Sequence, residues 1–308
     1  MKDHQSWKIV YLSAMIWRDI TYFFIISRPV NVLISLIAFA VACFLVNHHQ
    51  TDFFFHTRFW ATAITITVIA ATGYWINDVY DFRIDRINKP KRTVVNALLS
   101  VKKVLTVYFI ANSLVLLFSL GFLGFYLGEF TVTFINFLSV FLLFFYASYF
   151  KRVSVAGNLV IAFLIALVLI LASYLYDDLN MALIWAIVFA FEITFIREIT
   201  KDVEDIEGDL AYDLRTLPIQ VGILHTRKIL MILYGVFLLS CYLPFAYLYF
   251  VKQESNWVYL GLSFVLVQIP ATVLMVLLSR SSEPEAFGKQ SRYLKYLMIA
   301  GMITLFFL

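Results

Sequence analysis

Nine apolar stretches of about 20 residues constrain this 308-residue chain more than any other feature. They run over 30–47, 59–77, 104–125, 130–150, 156–176, 180–197, 227–250, 256–279 and 293–308. That is the length an α-helix needs to cross a bilayer core, where each backbone polar group must be bonded within its own segment. The expected fold is all-α: a polytopic membrane protein of nine transmembrane helices forming one integral-membrane domain over residues 1–308. Charged residues make up 14% and hydrophobic ones 62%, whereas soluble domains carry roughly a quarter charged residues. Residues 1–28 mix polar and aromatic side chains without a clean apolar core, which predicts an interfacial helix before the first span rather than a signal peptide.

The basic residues orient the chain. With the N-terminus in the cytoplasm, 22 of the 24 Lys and Arg fall on the inner side, leaving only Arg58 and Lys252 outside. So one-sided a split is the positive-inside pattern of a multi-pass membrane protein, and it assigns the net charge of +4 to topology rather than to nucleic-acid binding. Cys43 and Cys241 each stand alone inside a span, and the histidines have no zinc-type spacing.

Against this background the segment NDVYDFRIDRINKPKR (77–92) is anomalous, with Asp78, Asp81 and Asp85 directly after the second span. An echo follows at KDVEDIEGD (201–209), where Asp202, Asp205 and Asp209 repeat the three-then-four spacing after the sixth span. At about 100° per residue such positions lie within about 60° of one another on a helix, so each trio forms an acidic stripe. Four spans separate the stripes, which suggests two similar four-helix halves plus one extra helix. The motifs are expected in cytoplasmic loops, at 78–103 and 198–226.

Six facing aspartates repel unless a cation lies between them. Mg²⁺ favours carboxylate oxygens and commonly binds through one or two carboxylates together with substrate phosphates. The pattern therefore calls for Mg²⁺ held by Asp78, Asp81, Asp85, Asp202, Asp205 and Asp209, and for a phosphorylated ligand.

The run Asn77-Asp78-Val79-Tyr80-Asp81-Phe82-Arg83-Ile84-Asp85 resembles, at each fixed position, the N-D-x-x-D-x-x-x-D motif of the UbiA superfamily of intramembrane prenyltransferases. Asp202, Asp205 and Asp209 supply the second motif, and Arg28 to Asn31 (RPVN) is similar to the family's start. The resemblance implies nine helices around a central cavity open to membrane lipid, with two motif segments closing over a prenyl diphosphate bound through two Mg²⁺ ions. It makes Asp78, Asp81, Asp202, Asp205 and Lys201 the catalytic set. Asn77, Lys89, Arg92, Lys151, Arg197 and Arg215 become candidates for substrate binding. The family often places Tyr-x-x-x-Lys after its fourth span. Here Lys151 is present but position 147 is Ala, so Tyr146 and Tyr149 are the candidates to shield the allylic cation. A second departure puts Thr93 and Ala97 where relatives have Pro and Gly.

The acceptor is read from the 197–202 and 215–218 segments and from Gly157-Asn158. These look most like geranylgeranylglycerol-phosphate geranylgeranyltransferases, with Asn158 at the substrate. That implies transfer from geranylgeranyl diphosphate to a lipophilic glycerol-phosphate acceptor. An aromatic acceptor of quinone biosynthesis remains the alternative. A cation-coupled transporter using Glu192 within the sixth span is a more distant one.

Overall fold

The computed structural model describes residues 15–90, 93–281 and 283–308. Residues 1–14 and Arg92, both subjects of the expectations above, lie outside the described residues. The described chain is helical, and a single isolated bridge, Val95 to Leu99, is its only β-type pairing.

Residues 15–26 form α1. It exposes Ile16, Trp17, Ile20 and Phe24 along one side and buries Asp19, which pairs with Lys103, a pattern suited to lying in a membrane interface. The Phe23 ring meets Trp75 edge-on at 5.0 Å, and Trp75 Nε1 donates to Ser27 Oγ at 2.8 Å.

The long helices follow: α2 (Pro29–Val46), α3 (Thr57–Asn88), α4 (Val101–Phe118) with a π-helical extension (Ser119–Tyr126), α5 (Phe130–Ser148), α6 (Ala156–Tyr176) and α7 (Met181–Glu204). Two short helices, α8 (Ile206–Ala211) and α9 (Leu217–Val221), lead to α10 (Ile223–Ser240) and α11 (Leu243–Phe250). Next come α12 (Trp257–Ser263), a π-helical turn (Phe264–Gln268), α13 (Ile269–Arg280) and α14 (Pro284–Leu305). Seven of the resulting rods are long and apolar enough to cross a membrane, counting α10–α11 and α12–α13 as one rod each. Helices α7 and α14 occupy the positions of the other two expected spans and are of spanning length, but they fall outside those seven and carry charge at one end: Arg197, Lys201 and Asp202 in α7, and Lys289, Arg292 and Lys295 in α14.

Irregular turns are satisfied internally, as hydrocarbon surroundings require. Thr133 Oγ1 donates to the Ser119 carbonyl at 2.9 Å where α4 turns π-helical, and Tyr259 OH donates to the Cys241 carbonyl at 3.2 Å where α10 breaks before Pro244. Large apolar side chains such as Leu114, Leu117, Phe134 and Ile232 face outward. On a soluble surface so much exposed apolar area would drive association, but lipid is its natural solvent.

The two motif-bearing helices are the hubs of the packing. Helix α3 touches α2, α4 and α5, while α7 touches α6, α10 and α14. The halves join where α6 packs on α2 and α5, burying Phe39, Cys43, Leu171, Leu175 and Leu183 in one apolar cluster. At the motif end they meet again, α3 against α8.

Here the structure corrects the expected motif loops. The first motif lies on α3 itself, which continues eleven residues past the apolar stretch ending at 77 and stops at Asn88. Nothing in 78–88 breaks a helix, and termination waits for Pro90, which disfavours helical backbone in the residue before it. The second motif begins on α7 and breaks at Asp205, so Asp209 sits on α8 rather than on one continuous stripe.

Candidate functional site

At the motif end each carboxylate meets a specific partner. Arg28 donates to Asp78 Oδ1 at 2.6 Å, and Asn77 Nδ2 donates to Asp81 Oδ2 at 2.7 Å. The Lys151 ammonium also pairs with Asp81 Oδ2. From the second motif, Asn158 Nδ2 donates to Asp202 Oδ2 at 2.8 Å, and Lys89 Nζ lies 2.6 Å from Asp205 Oδ1. Asp209 is 2% exposed and stands among Lys151, Asp205, Asp81 and Lys89, so its charge and that of Asp81 face each other across the two halves. Asp85 is half-buried within the fields of Asp81, Lys151 and Lys89.

Electrostatics follow from that crowding. Burial is the main force pushing the Asp209 carboxyl up, to about 7; Lys151 opposes it and the neighbouring Asp205 and Asp81 add to it. Burial works against the Lys151 charge, but Asp81 prevails and holds the ammonium above the ordinary lysine value.

The two motif segments are clasped mechanically. Asn88 Nδ2 donates to the Asp205 carbonyl at 2.9 Å, and its Oδ1 accepts from Gly208 N at 2.8 Å. A Cβ at position 208 would stand 2.5 Å from Asn88 Nδ2, so the approach needs glycine.

The remaining expected residues divide. Arg197 donates to Glu198 Oε1 at 2.5 Å and Lys201 to Oε2 at 3.0 Å, so both basic groups are tied to a buried glutamate rather than to an aspartate. Tyr146 lies beside the site, its ring edge where a Cβ on Gly157 would be 3.2 Å away. Tyr149 is 60% exposed and packs edge-on against Phe150, so it does not face the carboxylates. Arg215 is exposed, and its backbone N–H donates to the Arg152 carbonyl at 3.3 Å; among the described residues its side chain joins none of the carboxylates. Glu192 accepts from Ser240 Oγ at 2.7 Å, joining α7 to α10 well away from the motif end.

Residues 29–297 match the UbiA prenyltransferase family. The chain belongs to that family. It is a membrane prenyltransferase, and it is 34% identical over 246 residues to a digeranylgeranylglyceryl phosphate synthase of Saccharolobus solfataricus, covering 79% of this chain and 82% of the relative. A digeranylgeranylglyceryl phosphate synthase of Methanosphaera stadtmanae is 30% identical over 285 residues, 91% of this chain and 96% of that one. The fold matches a solved structure described as that of digeranylgeranylglyceryl phosphate synthase in membranes, with a TM-score of 0.67, 24% identity, and 94% and 99% of the two chains covered. It also matches a UbiA homologue from Archaeoglobus fulgidus bound to GPP and Mg²⁺, with a TM-score of 0.62, 16% identity, and 92% and 99% covered.

Three residues of this UbiA site escape a reading of the motifs alone. Arg28 holds Asp78 and stacks 4.8 Å over the Tyr74 ring, in a left-handed backbone (φ 50°, ψ 63°) uncommon outside glycine. The RPVN run was its signal, but read as family likeness rather than as a contact. Glu198, inside the second motif segment, and Asn88, just before the loop, each had a sequence signal that only a tertiary partner could interpret.

The donor set suits a hard divalent cation. It offers carboxylate oxygens from both halves, and Asn77 Oδ1 is a buried acceptor without a hydrogen-bond donor. Among the described residues no three acidic, His or Cys side chains already converge as metal ligands, because Arg28, Lys151, Lys89 and Asn158 each hold one carboxylate. Asp78, Asp81 and Asp85 from α3 and Asp202, Asp205 and Asp209 from the α7–α8 junction are the groups that would hold Mg²⁺.

Proposed function

We propose that this protein transfers a geranylgeranyl group from its diphosphate to the free hydroxyl of geranylgeranylglyceryl phosphate, at a site on the cytoplasmic side of the membrane. The observation that carries the reading is the pair of digeranylgeranylglyceryl phosphate synthases at about 30% identity along most of the chain, taken with two aspartate segments clasped face to face. The split of Lys and Arg supports the cytoplasmic orientation, because the site lies at the basic end.

Transfer breaks the allylic C–O bond, the electron pair leaving with diphosphate, and forms a C–O bond to the acceptor oxygen, which gives up its proton. The aspartates would hold Mg²⁺, which when bound would neutralise charge on the departing diphosphate. Lys89 and Lys151, set between the two acidic stripes, add fixed positive charge at the same place and orient it. Asn158 and Asn77 hold Asp202 and Asp81 in one rotamer each, so the carboxylates need not reorganise. Tyr146 presents an aromatic ring beside the site, which excludes water and favours a passing allylic cation.

The test is purified protein in detergent with geranylgeranyl diphosphate, Mg²⁺, and geranylgeranylglyceryl phosphate, hydroxybenzoate or naphthoate as acceptors, read by mass spectrometry. The expected product is the doubly prenylated glyceryl phosphate. Product from an aromatic acceptor and none from the glyceryl phosphate would overturn the reading. Glu192 bonded to Ser240, away from the aspartates, does not support transport; cation flux in proteoliposomes without diphosphate release would.

A further inference from the structure

A second cationic cluster lies on a different face of α7 from the aspartates. Helices α7 and α14 pack so closely that a Cβ on Gly288 would stand 2.7 Å from Glu204 Oε1. The two helices run antiparallel, since α14 starts at the motif end and finishes beside Asn256 and Phe44 at the other. Seven residues is nearly two helical turns, so Arg197, seven before Glu204, and Lys295, seven after Gly288, meet at the same level of that interface. Arg197 also shares its side of α7 with Lys201, about 40° away, whereas Asp202 points about 140° round the helix, to Asn158 on α6.

Positive charge is crowded around Lys295. Lys295 is half-buried in the fields of Arg197, Lys201 and Arg28, with Glu198 as the one opposing carboxylate, and among the described residues it makes no ion pair. Arg28 is engaged by Asp78, and Arg197 and Lys201 share the single carboxylate of Glu198, which leaves Lys295 as the cation of this interface with no carboxylate of its own among the described residues. Arg197 Nε is buried without an acceptor, and so is the hydroxyl of Thr194, one turn away on the same side of α7. Buried donors left unbonded are costly, and the unpaired charge of Lys295 beside other cations adds to that cost.

Directly beyond the cluster, away from the motif end, opens an apolar cleft between α2, α7 and α14. Ile193, one turn from Arg197, and Leu297 and Met298, next to Lys295, form its near wall, with Ser35 on α2. A cationic mouth on an apolar cleft matches an amphiphile with an anionic head.

We propose that Arg197 and Lys295 bind the phosphate monoester of the acceptor lipid, with its apolar chain in the α2–α7–α14 cleft. This rests on the acceptor named under the proposed function. A phosphate monoester carries about −1.5 to −2 near neutral pH, which suits the unpaired Lys295 and the unbonded Nε of Arg197. The donor's diphosphate goes to the aspartate side of α7 and the acceptor's phosphate to the α14 side, so the two anionic heads do not compete.

Equilibrium binding of geranylgeranylglyceryl phosphate to the full-length protein in detergent, without donor or Mg²⁺, reads this site directly. Lys295→Gln is expected to weaken binding about tenfold or more and Lys295→Arg to restore it, while the phosphate-free probe geranylgeranylglycerol binds all three proteins alike. In turnover, Lys295→Gln raises KM for the phosphorylated acceptor and leaves KM for geranylgeranyl diphosphate within about twofold. Unchanged binding of the phosphorylated lipid in Lys295→Gln overturns the proposal, as does a loss that falls equally on the diphosphate donor. So does a wild type that fails to bind the phosphorylated lipid. A wild type that binds this lipid through Lys295 but does not prenylate it overturns the proposed function and leaves the subsite standing.

Discussion

Asn88 closes on Asp205 across 117 residues of sequence, its amide donating to the Asp205 carbonyl at 2.9 Å while its oxygen takes the Gly208 N–H at 2.8 Å. One side chain thus sets the distance between the two acidic segments. Asn88→Ala removes two part-buried hydrogen bonds, worth about 1–3 kcal/mol each when a partner is left unsatisfied. Gly208→Ala drives a Cβ into the same amide. Both variants are expected to insert into membrane normally and to lose turnover by about 10- to 100-fold, measured as diphosphate release at saturating donor. Full activity in both would mean that the clasp does not set the site.

Arg28 to Asp78 is the second tertiary link. Arg28→Ala leaves Asp78 without its charge partner, and a drop in kcat of about 100-fold is expected, since buried charged hydrogen bonds are among the costliest to break. Lysine at this position keeps the charge but loses the planar stack on Tyr74, so Arg28→Lys should recover only part of kcat.

Asp78→Ala and Asp202→Ala are expected to abolish turnover while the protein still inserts and purifies. Chelation of divalent ions should silence the wild type and added Mg²⁺ restore it. Near-normal rates from either variant in detergent would remove the metal role assigned to the aspartates.

The pH dependence of Mg²⁺ activation is expected to follow Asp209. Its carboxyl is pushed up to about 7, chiefly by burial, so below that pH a proton would occupy an oxygen this site offers to the metal. The apparent Mg²⁺ requirement should therefore rise as pH falls through 7, by about tenfold at pH 6 for one competing proton. Asp209→Asn should flatten that slope, with the Mg²⁺ concentration for half-maximal rate as the readout. An unchanged slope would assign the titration elsewhere.

The membrane class and the two acidic segments were legible in the chain, because each is a local pattern: length of apolar run and spacing of aspartates. The same local logic misjudged where structure stops. A hydropathy boundary at 77 marks where the lipid ends, but a helix ends where backbone chemistry ends it, and for α3 that is Pro90. It also treated Tyr146 and Tyr149 alike, although three residues apart one packs beside Gly157 near the site and the other is 60% exposed.

What remained for the tertiary structure was partnership. Arg28 with Asp78, Lys151 with Asp81, Lys89 with Asp205 and Asn158 with Asp202 are separated by 44 to 116 residues, and no local spacing encodes them. Likewise Lys295, one more basic residue near a helix end by sequence, gains its setting only when α14 packs on α7 at Gly288. Local sequence sets which groups carry charge and on which helix face. Which charges neutralise one another, and which remain to meet a substrate, depends on helix packing, because electrostatic energy falls with distance in space and not along the chain.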